Sequence, residues 1–262
     1  MKTKTVFAAS LLLAGAAVAD ATTVDSSYVL GVMPVNASGK NQVILSIPWV
    51  AEGGATAIAV TNLVKTAGLS ADDTLTWYNT AQGKYNQWIA TAGANGVLYW
   101  APVTSVSNDS THAIPSNDAT LLRGQAVVLT RTNTSNPIYV IGQVGTNATA
   151  STTISGSSWH MLAPPAASTS NVDFNTAASD GNDWASCVDD EITVDGANGV
   201  YKTYKCMNVG TEAEPSYKWT TSYFASSHTA MVPAGRGFWY HRNGESSVTV
   251  TWSNVPAVTP AN

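Results

Sequence analysis

The chain is short of charge. Acidic and basic side chains make up 11% of it, against roughly 25% in an ordinary soluble domain. Ser, Thr, Asn and Gly stand in their place, a composition that suits exposed β-structure outside the cell better than a helical cytosolic enzyme. Positive charge is the scarcer sign. With Lys2 and Lys4 set aside as part of the leader described next, ten basic residues face seventeen acidic ones. That balance argues against nucleic acid or anionic lipid as partner, because both are held by basic patches.

Long apolar runs are also missing, except at the N-terminus. There Lys2 and Lys4 precede an apolar stretch from Val6 to Val18, and Ala17-Val18-Ala19 supplies a small-x-small cleavage signature. Residues 1–19 therefore read as a signal peptide cut before Asp20. The apolar stretch is too short to cross a bilayer, so no membrane insertion is expected. The mature protein is expected to be exported, to the periplasm, the cell surface or the medium.

Only two cysteines are present, Cys187 and Cys206. In an oxidising compartment the expectation is one disulfide closing a loop of about twenty residues, worth about 3 kcal/mol. A metal pair is poorly supported, since no His lies at ligand spacing nearby. Complete catalytic signatures are absent: there is no Gly-x-Ser-x-Gly, no His-Glu-x-x-His, no P-loop and no dinucleotide fingerprint. No cofactor and no metal is implied. The oxygen-rich stretch Asp173, Asn175, Asp180, Asn182, Asp183 departs from the EF-hand spacing and reads as a polar loop.

What the chain has is repetition. Pro48, Asp72-Asp73, Gly124 and Arg131 recur as Pro164, Asp189-Asp190, Gly235 and Arg242, displaced by 111 to 117 residues. Trp88 is matched with Trp219. A nearly constant displacement marks a tandem duplication. The expected organisation is a first module at 20–150, a linker at 151–158 rich in Ser, Thr and Gly, and a second module at 159–262.

Local patterns within each copy favour strands. Residues 42–49 form a short apolar run ended by proline, and Leu75 and Trp77 alternate with Thr74 and Thr76. Gln82-Gly83 marks a turn, so residues 74–90 read as a hairpin. Residues 191–207 repeat that hairpin, and 123–131 and 236–242 are matching strands. Thr56 to Ala67, with Ile58, Val60, Leu63 and Val64 on one face and Gly68 after it, reads as a helix. In the second copy Asn171 to Trp184 reads as a polar loop in its place. The fold class is mainly β: two tandem, duplicated antiparallel β-modules with one short helix in the first.

The order Ser-Ile-Pro-Trp, short helix, Asp-Asp-x-Leu, Tyr-x-x-Trp, Arg-Gly-x-x-Val-x-Leu resembles that of paralogous exported proteins of Verrucomicrobia-type bacteria. Gly-Arg-Gly-Phe-Trp and the terminal alternating strand extend the match over nearly the whole mature chain. The resemblance implies export and a duplicated β-fold, not a mechanism.

Two constellations could carry function. The first is the repeated Asp pair. Two homologous lobes that each give one carboxylate to a shared water is the logic of aspartic peptidases, where crowded like charges force one proton to be shared. Asp72, Asp73, Asp189 and Asp190 are the candidates, although the Gly that usually follows the Asp-Thr/Ser dipeptide is missing. The plainer reading is that each pair caps a turn before a strand. The second constellation is aromatic. Trp77, Tyr85, Trp88, Trp219 and Trp239 are candidate platforms for sugar rings, set against the expectation that most rings fill a core with only four Phe. The favoured expectation is an exported, non-catalytic protein that binds glycan or mucin-type glycoprotein. The alternatives are a secreted aspartic-type hydrolase acting on glycoproteins, and a surface-layer or matrix subunit.

Overall fold

A computed structural model describes residues 30–35, 41–47, 57–59, 69–80, 82–94, 96–103, 112–113, 120–135, 138–143, 150–165, 171–178, 182–195, 200–225 and 227–252. The expected signal peptide, residues 1–19, lies outside the described residues. In the first half the strands are β1 (Leu30–Val35), β2 (Gln42–Ser46), β3 (Ala57–Ala59), β4 (Thr74–Asn79), β5 (Lys84–Ala92), β6 (Leu98–Pro102), β7 (His112–Ala113), β8 (Thr120–Leu122), β9 (Ala126–Thr130) and β10 (Ile138–Gln143). In the second half they are β11 (Ala150–Ile154), β12 (Ser158–Leu162), β13 (Val172–Asp173), β14 (Glu191–Asp195), β15 (Tyr201–Asn208), β16 (Tyr217–Thr220), β17 (Met231–Val232), β18 (Phe238–Arg242) and β19 (Val248–Trp252). A one-turn helix α1 (Phe174–Ala177) and a 3₁₀ turn at Trp184–Cys187 complete the list. The protein is mainly β.

Duplication is written into the strand order. One sheet runs β2-β9-β4-β5-β6, with β7 added parallel beside β5; the other runs β12-β18-β14-β15-β16. Two ribbons accompany each sheet, β1-β10 and β3-β8 in the first copy, β11-β19 and β13-β17 in the second. The register fixes which residues correspond. Leu75 faces Trp88 and Leu129, while Ile192 faces Tyr204 and Tyr240. Trp88 therefore corresponds to Tyr204. The true counterpart of Trp219 is Trp100, since Trp219 faces Cys206 and Trp100 faces Ala90. The expected match of Trp88 with Trp219 is corrected: they lie on non-equivalent strands, β5 and β16, and share only their residue type.

The repeated Asp-Asp proves to be a turn with divided labour. Asp72 and Asp189 both take a positive φ of 68°, a left-handed conformation that a short polar side chain tolerates better than most. Asp73 and Asp190 are both 0% exposed and act as acceptors. Ser70 N–H and the N–H and hydroxyl of Thr132 donate to Asp73, at 2.9, 2.7 and 2.9 Å. The Tyr240 hydroxyl, Arg242 Nη1 and Asn243 N–H donate to Asp190, at 2.7, 2.8 and 2.8 Å. Each carboxylate thus pins the start of one strand to the end of its sheet neighbour, β4 to β9 and β14 to β18.

Three expectations are corrected. The predicted helix at Thr56 to Ala67 begins with strand residues Ala57–Ala59, and its remaining positions 60–68 lie outside the described residues. The helix among the described residues is in the second copy instead, at Phe174–Ala177, where a polar loop was expected. Asp173 caps it by accepting from Asn175 N–H, and Phe174 is fully buried. One buried aromatic is enough to anchor a turn too short for any periodicity to reveal. The third correction concerns 151–158: Ala150–Ile154 is a strand paired with Val248–Trp252, so this segment belongs to the second copy's fold and is no free linker.

Each copy has its own core. The first gathers Val43, Leu45, Leu75, Trp88, Trp100 and Leu129 with residues of its ribbons. The second is an aromatic stack in which Phe174 meets Trp219, Phe238 and Trp252 at centroid separations of 5.2 to 5.3 Å. Cys187 and Cys206 lie in this second core as free thiols, so the expected disulfide is not formed. Their equivalents in the first copy are Ser70 and Ala90: Asp73 and Asp190 N–H donate to the carbonyls of Ser70 and Cys187, and Ala90 and Cys206 N–H to those of Asp73 and Asp190. Burial pushes both thiols upward in pKa, so they stay protonated and behave as small apolar side chains.

A third cluster joins the copies. Ile44 and Ala126 of the first sheet pack on Met161 and Ala163 of the second, flanked by Tyr78, Val128 and Trp239. The main chain is exchanged reciprocally across this junction. Ser46 N–H donates to Gly235 O at 3.1 Å, and the equivalent Ala163 N–H donates to the equivalent Gly124 O at 2.8 Å. Leu45 bridges to Arg236, and its counterpart Leu162 bridges to Gln125. Reciprocity of this kind defines an isologous contact about a local twofold, here within one chain.

Two outcomes test this picture. Asp190→Asn strips Arg242, itself 3% exposed, of its buried counter-charge and is expected to cost about 3 kcal/mol in urea denaturation. An unchanged midpoint would mean that the carbonyls of Ser186 and Ser246 suffice to hold the guanidinium. Gly237→Ala would place a Cβ 2.4 Å from that of Ala126 and 2.9 Å from Ile44 Cγ2. It is expected to destabilise the protein by about 1–3 kcal/mol through overpacking, read as a lowered thermal midpoint.

Candidate functional site

Strand alternation decides which aromatic rings reach the surface of the junction. Leu75 points into the first core, so Trp77 follows it inward and Tyr78 points the other way. Tyr85 faces Tyr78 across the hairpin. In the second sheet, Tyr240 and Phe238 are core residues, so Trp239 faces outward between Met161 and Thr193. Tyr201 corresponds to Tyr85 by register. These strands close an open groove of about 610 Å³ whose walls are Tyr78 and Tyr85 from the first copy and Trp159, Thr193, Tyr201 and Trp239 from the second.

The rings stand steeply to one another. Tyr78 meets Tyr85 at 5.0 Å and 60°, and Trp239 at 5.9 Å and 64°. Tyr85 and Trp159 each stand nearly perpendicular to Trp239, at 80° and 83°. These edge-to-face contacts are favourable in themselves, and they make a walled trough in place of one flat platform. Trp159 stacks on His241 at 4.2 Å and remains 41% exposed, and Tyr201 is 53% exposed. Burial, reinforced by Tyr78, raises the pKa of Tyr85, so its hydroxyl keeps its proton. Among the described residues no charged side chain lines the groove.

Of the five aromatic candidates, Tyr85 and Trp239 belong to this site. Trp88 and Trp219 are corrected to core residues: both are 0% exposed, because each lies on the inward face of its strand. Trp77 packs against the first core and lines a different groove. Tyr78, Trp159 and Tyr201 were missed. Tyr78 was within reach of the reasoning, since placing Leu75 inward sends Tyr78 outward. Trp159 and Tyr201 depend on how the two sheets meet, which no local pattern records.

The four Asp candidates are not assembled into a catalytic pair. Asp72 and Asp189 are exposed at turns, and the bonding partners of Asp73 and Asp190 come from within their own copies. A carboxylate with three donors at 0% exposure is enclosed by its own turn and is not open to a cleft. Among the described residues no group of three or more His, Cys, Asp or Glu could hold a metal. The acidic stretch of the second copy is used structurally. Asp173 and Asp183 cap their turns, Asn175 bonds the main chain of Trp219, and Asn182 bonds that of Thr251. Asp180 lies outside the described residues. No helix among the described residues is long and apolar enough to cross a membrane.

Beside the aromatic groove lies His160, 8% exposed. Its Nε2 accepts from Ser155 N–H at 3.1 Å, and Ser158 Oγ lies 2.8 Å from the same nitrogen. The proton is therefore on Nδ1, 3.4 Å from Thr80 Oγ1 of the other copy. Burial lowers the His160 pKa.

No family model, curated protein or solved structure matches this chain. The site's chemistry is accordingly read from its own residues.

The His160 geometry sets a pH dependence. A depressed folded-state pKa favours the neutral ring, so its stabilisation is complete above the unfolded value of about 6.5 and is lost as pH falls toward the folded value. Urea midpoints taken between pH 7.5 and 5 are expected to fall more steeply for the wild type than for His160→Gln. Parallel slopes would refute the assignment.

Proposed function

We propose that this is an exported, non-catalytic β-rich protein that binds glycan, or the glycan of mucin-type glycoproteins, in the aromatic groove between its two repeats. The observation that carries the reading is a trough lined by five aromatic rings from both copies, with no carboxylate, amine, imidazole or thiol among the described lining residues. A pyranose presents C–H faces that pack on aromatic rings and hydroxyls that bond to Thr193 and the tyrosine hydroxyls. Ligand sites of this size are commonly apolar concavities with a few placed polar groups. The absence of lining charge favours a neutral ligand. Export rests on the N-terminal leader pattern and on the resemblance to exported paralogues.

The hydrolase reading has less support, because the carboxylates it needs are committed to turns. The glycan reading is tested with purified mature protein by titration against mucin glycoproteins and neutral oligosaccharides. Trp159→Ala and Tyr201→Ala, both at exposed rings, are each expected to weaken binding on the order of tenfold, equivalent to about 1.4 kcal/mol, with circular dichroism and thermal midpoint unchanged. Wild-type protein that bound none of these ligands above background would sink the proposal.

A further inference from the structure

A second groove of about 560 Å³ lies against the same junction, and its chemistry differs. Trp77 and Tyr78 form one side of it, and the rest is rich in small polar side chains, among them Thr80, Thr152, Thr153 and Ser155. Tyr78 also lines the aromatic groove, so one ring is a wall common to both. Just beyond that ring the two copies are tied together, Thr80 Oγ1 donating to Trp159 O at 3.1 Å. Among the described residues lining the second groove, His160 and Tyr78 are the titratable ones, and burial favours the neutral form of His160.

From this shared wall we infer that the ligand is a linear neutral oligosaccharide that runs across both grooves, sugar faces against the rings of the first and hydroxyls against the threonines and serines of the second. This rests on the glycan reading above and adds chain length to it. Hydroxyl side chains both donate and accept, which matches the hydroxyls of a sugar better than it matches an ion or an apolar chain. Among the described residues neither lining contains Asp, Glu, Lys or Arg, which disfavours sialylated or sulfated chains. Linking two weak subsites through one ligand makes the second contact intramolecular, so affinity rises with length until both are filled and then stops rising.

The experiment is calorimetric titration with poly-N-acetyllactosamine chains of one to four repeats, a neutral linear glycan, on the wild type and on Thr153→Arg. Thr153 is exposed on β11, so an arginine there obstructs the second groove without entering a core. The expected result is a tenfold or greater gain in affinity from the shortest to the longest chain in the wild type. In Thr153→Arg that gain should be lost while affinity for the shortest chain is retained. Affinity independent of length, or equal weakening of short and long chains by Thr153→Arg, would overturn the two-groove inference and leave the glycan reading intact. Absence of binding to every chain, together with none to mucin, would overturn both. A Tyr201→Ala control should weaken all lengths alike, and weakening confined to the long chains would also count against the inference.

Discussion

The reciprocal main-chain exchange between the repeats is the constraint on which the rest depends. Ser46 with Gly235 and Ala163 with Gly124 bind the two sheets edge to edge, and the bridges of Leu45 and Leu162 continue the contact. Without it, Tyr78 and Tyr85 would be rings on one surface, and Trp159, Trp239 and Tyr201 rings on another. The groove is a property of the pairing. Close approach needs a residue without a side chain at Gly237, and it needs left-handed turns at Gly124 and Gly235, with φ of 88° and 67°. A Cβ at either left-handed position would be strained, which is why the turn that feeds β9 and the turn that feeds β18 share a glycine.

Divergence between the copies follows from what each position touches. The turn hardware is kept because its geometry is strict: a left-handed Asp, then a buried acceptor. What holds the acceptor is free to change. In the first copy a threonine supplies two donors to Asp73, while in the second a tyrosine and an arginine take part. A buried arginine recurs beside each acceptor, Arg131 by Asp73 and Arg242 by Asp190, and the second arrangement sits over a core of packed aromatics. Cys187 and Cys206 fall at the positions of Ser70 and Ala90, against that network, and serve there as filling. Junction positions diverge for another reason. Val128 in one copy answers to Trp239 in the other, and Gln42 to Trp159, which makes the trough lopsided and gives it most of its aromatic area from the second repeat.

Much of this architecture was legible in the chain. The duplicated landmarks located both sheets, because a turn with a left-handed Asp and a glycine-fed strand leaves a fixed residue pattern. The two hairpins and the strand at 248–252 were legible from period-two alternation. The helix was not. Phe174–Ala177 is a single turn held by Asp173 and by the burial of Phe174, and a single turn has no periodicity to read. Trp88 and Trp219 look as exposed as Tyr85 does when ring counts alone are considered. Only the facing residue, Leu75 or Cys206, tells which side of the sheet each occupies. The site was half legible for the same reason: two of five aromatic candidates line the trough, while Trp159 and Tyr201 are brought in by packing between repeats.

Placing an aromatic trough at a pseudo-twofold junction ties its shape to the stability of that junction. His160 bonds to the β11–β12 turn through Nε2 and faces Thr80 of the other copy through Nδ1, so one ring senses both sides of the contact. Its neutral form is favoured by burial, which makes the junction a structure of near-neutral pH. Acid that protonates the ring takes away the acceptor for Ser155 N–H and places a charge where no carboxylate hydrogen-bonds to the ring. The groove walls are then held by the apolar contacts around Met161 and Ile44 and by the main-chain exchange between the copies. A ligand that spans both grooves touches each repeat and favours the closed arrangement, so binding and junction stability rise together by mass action.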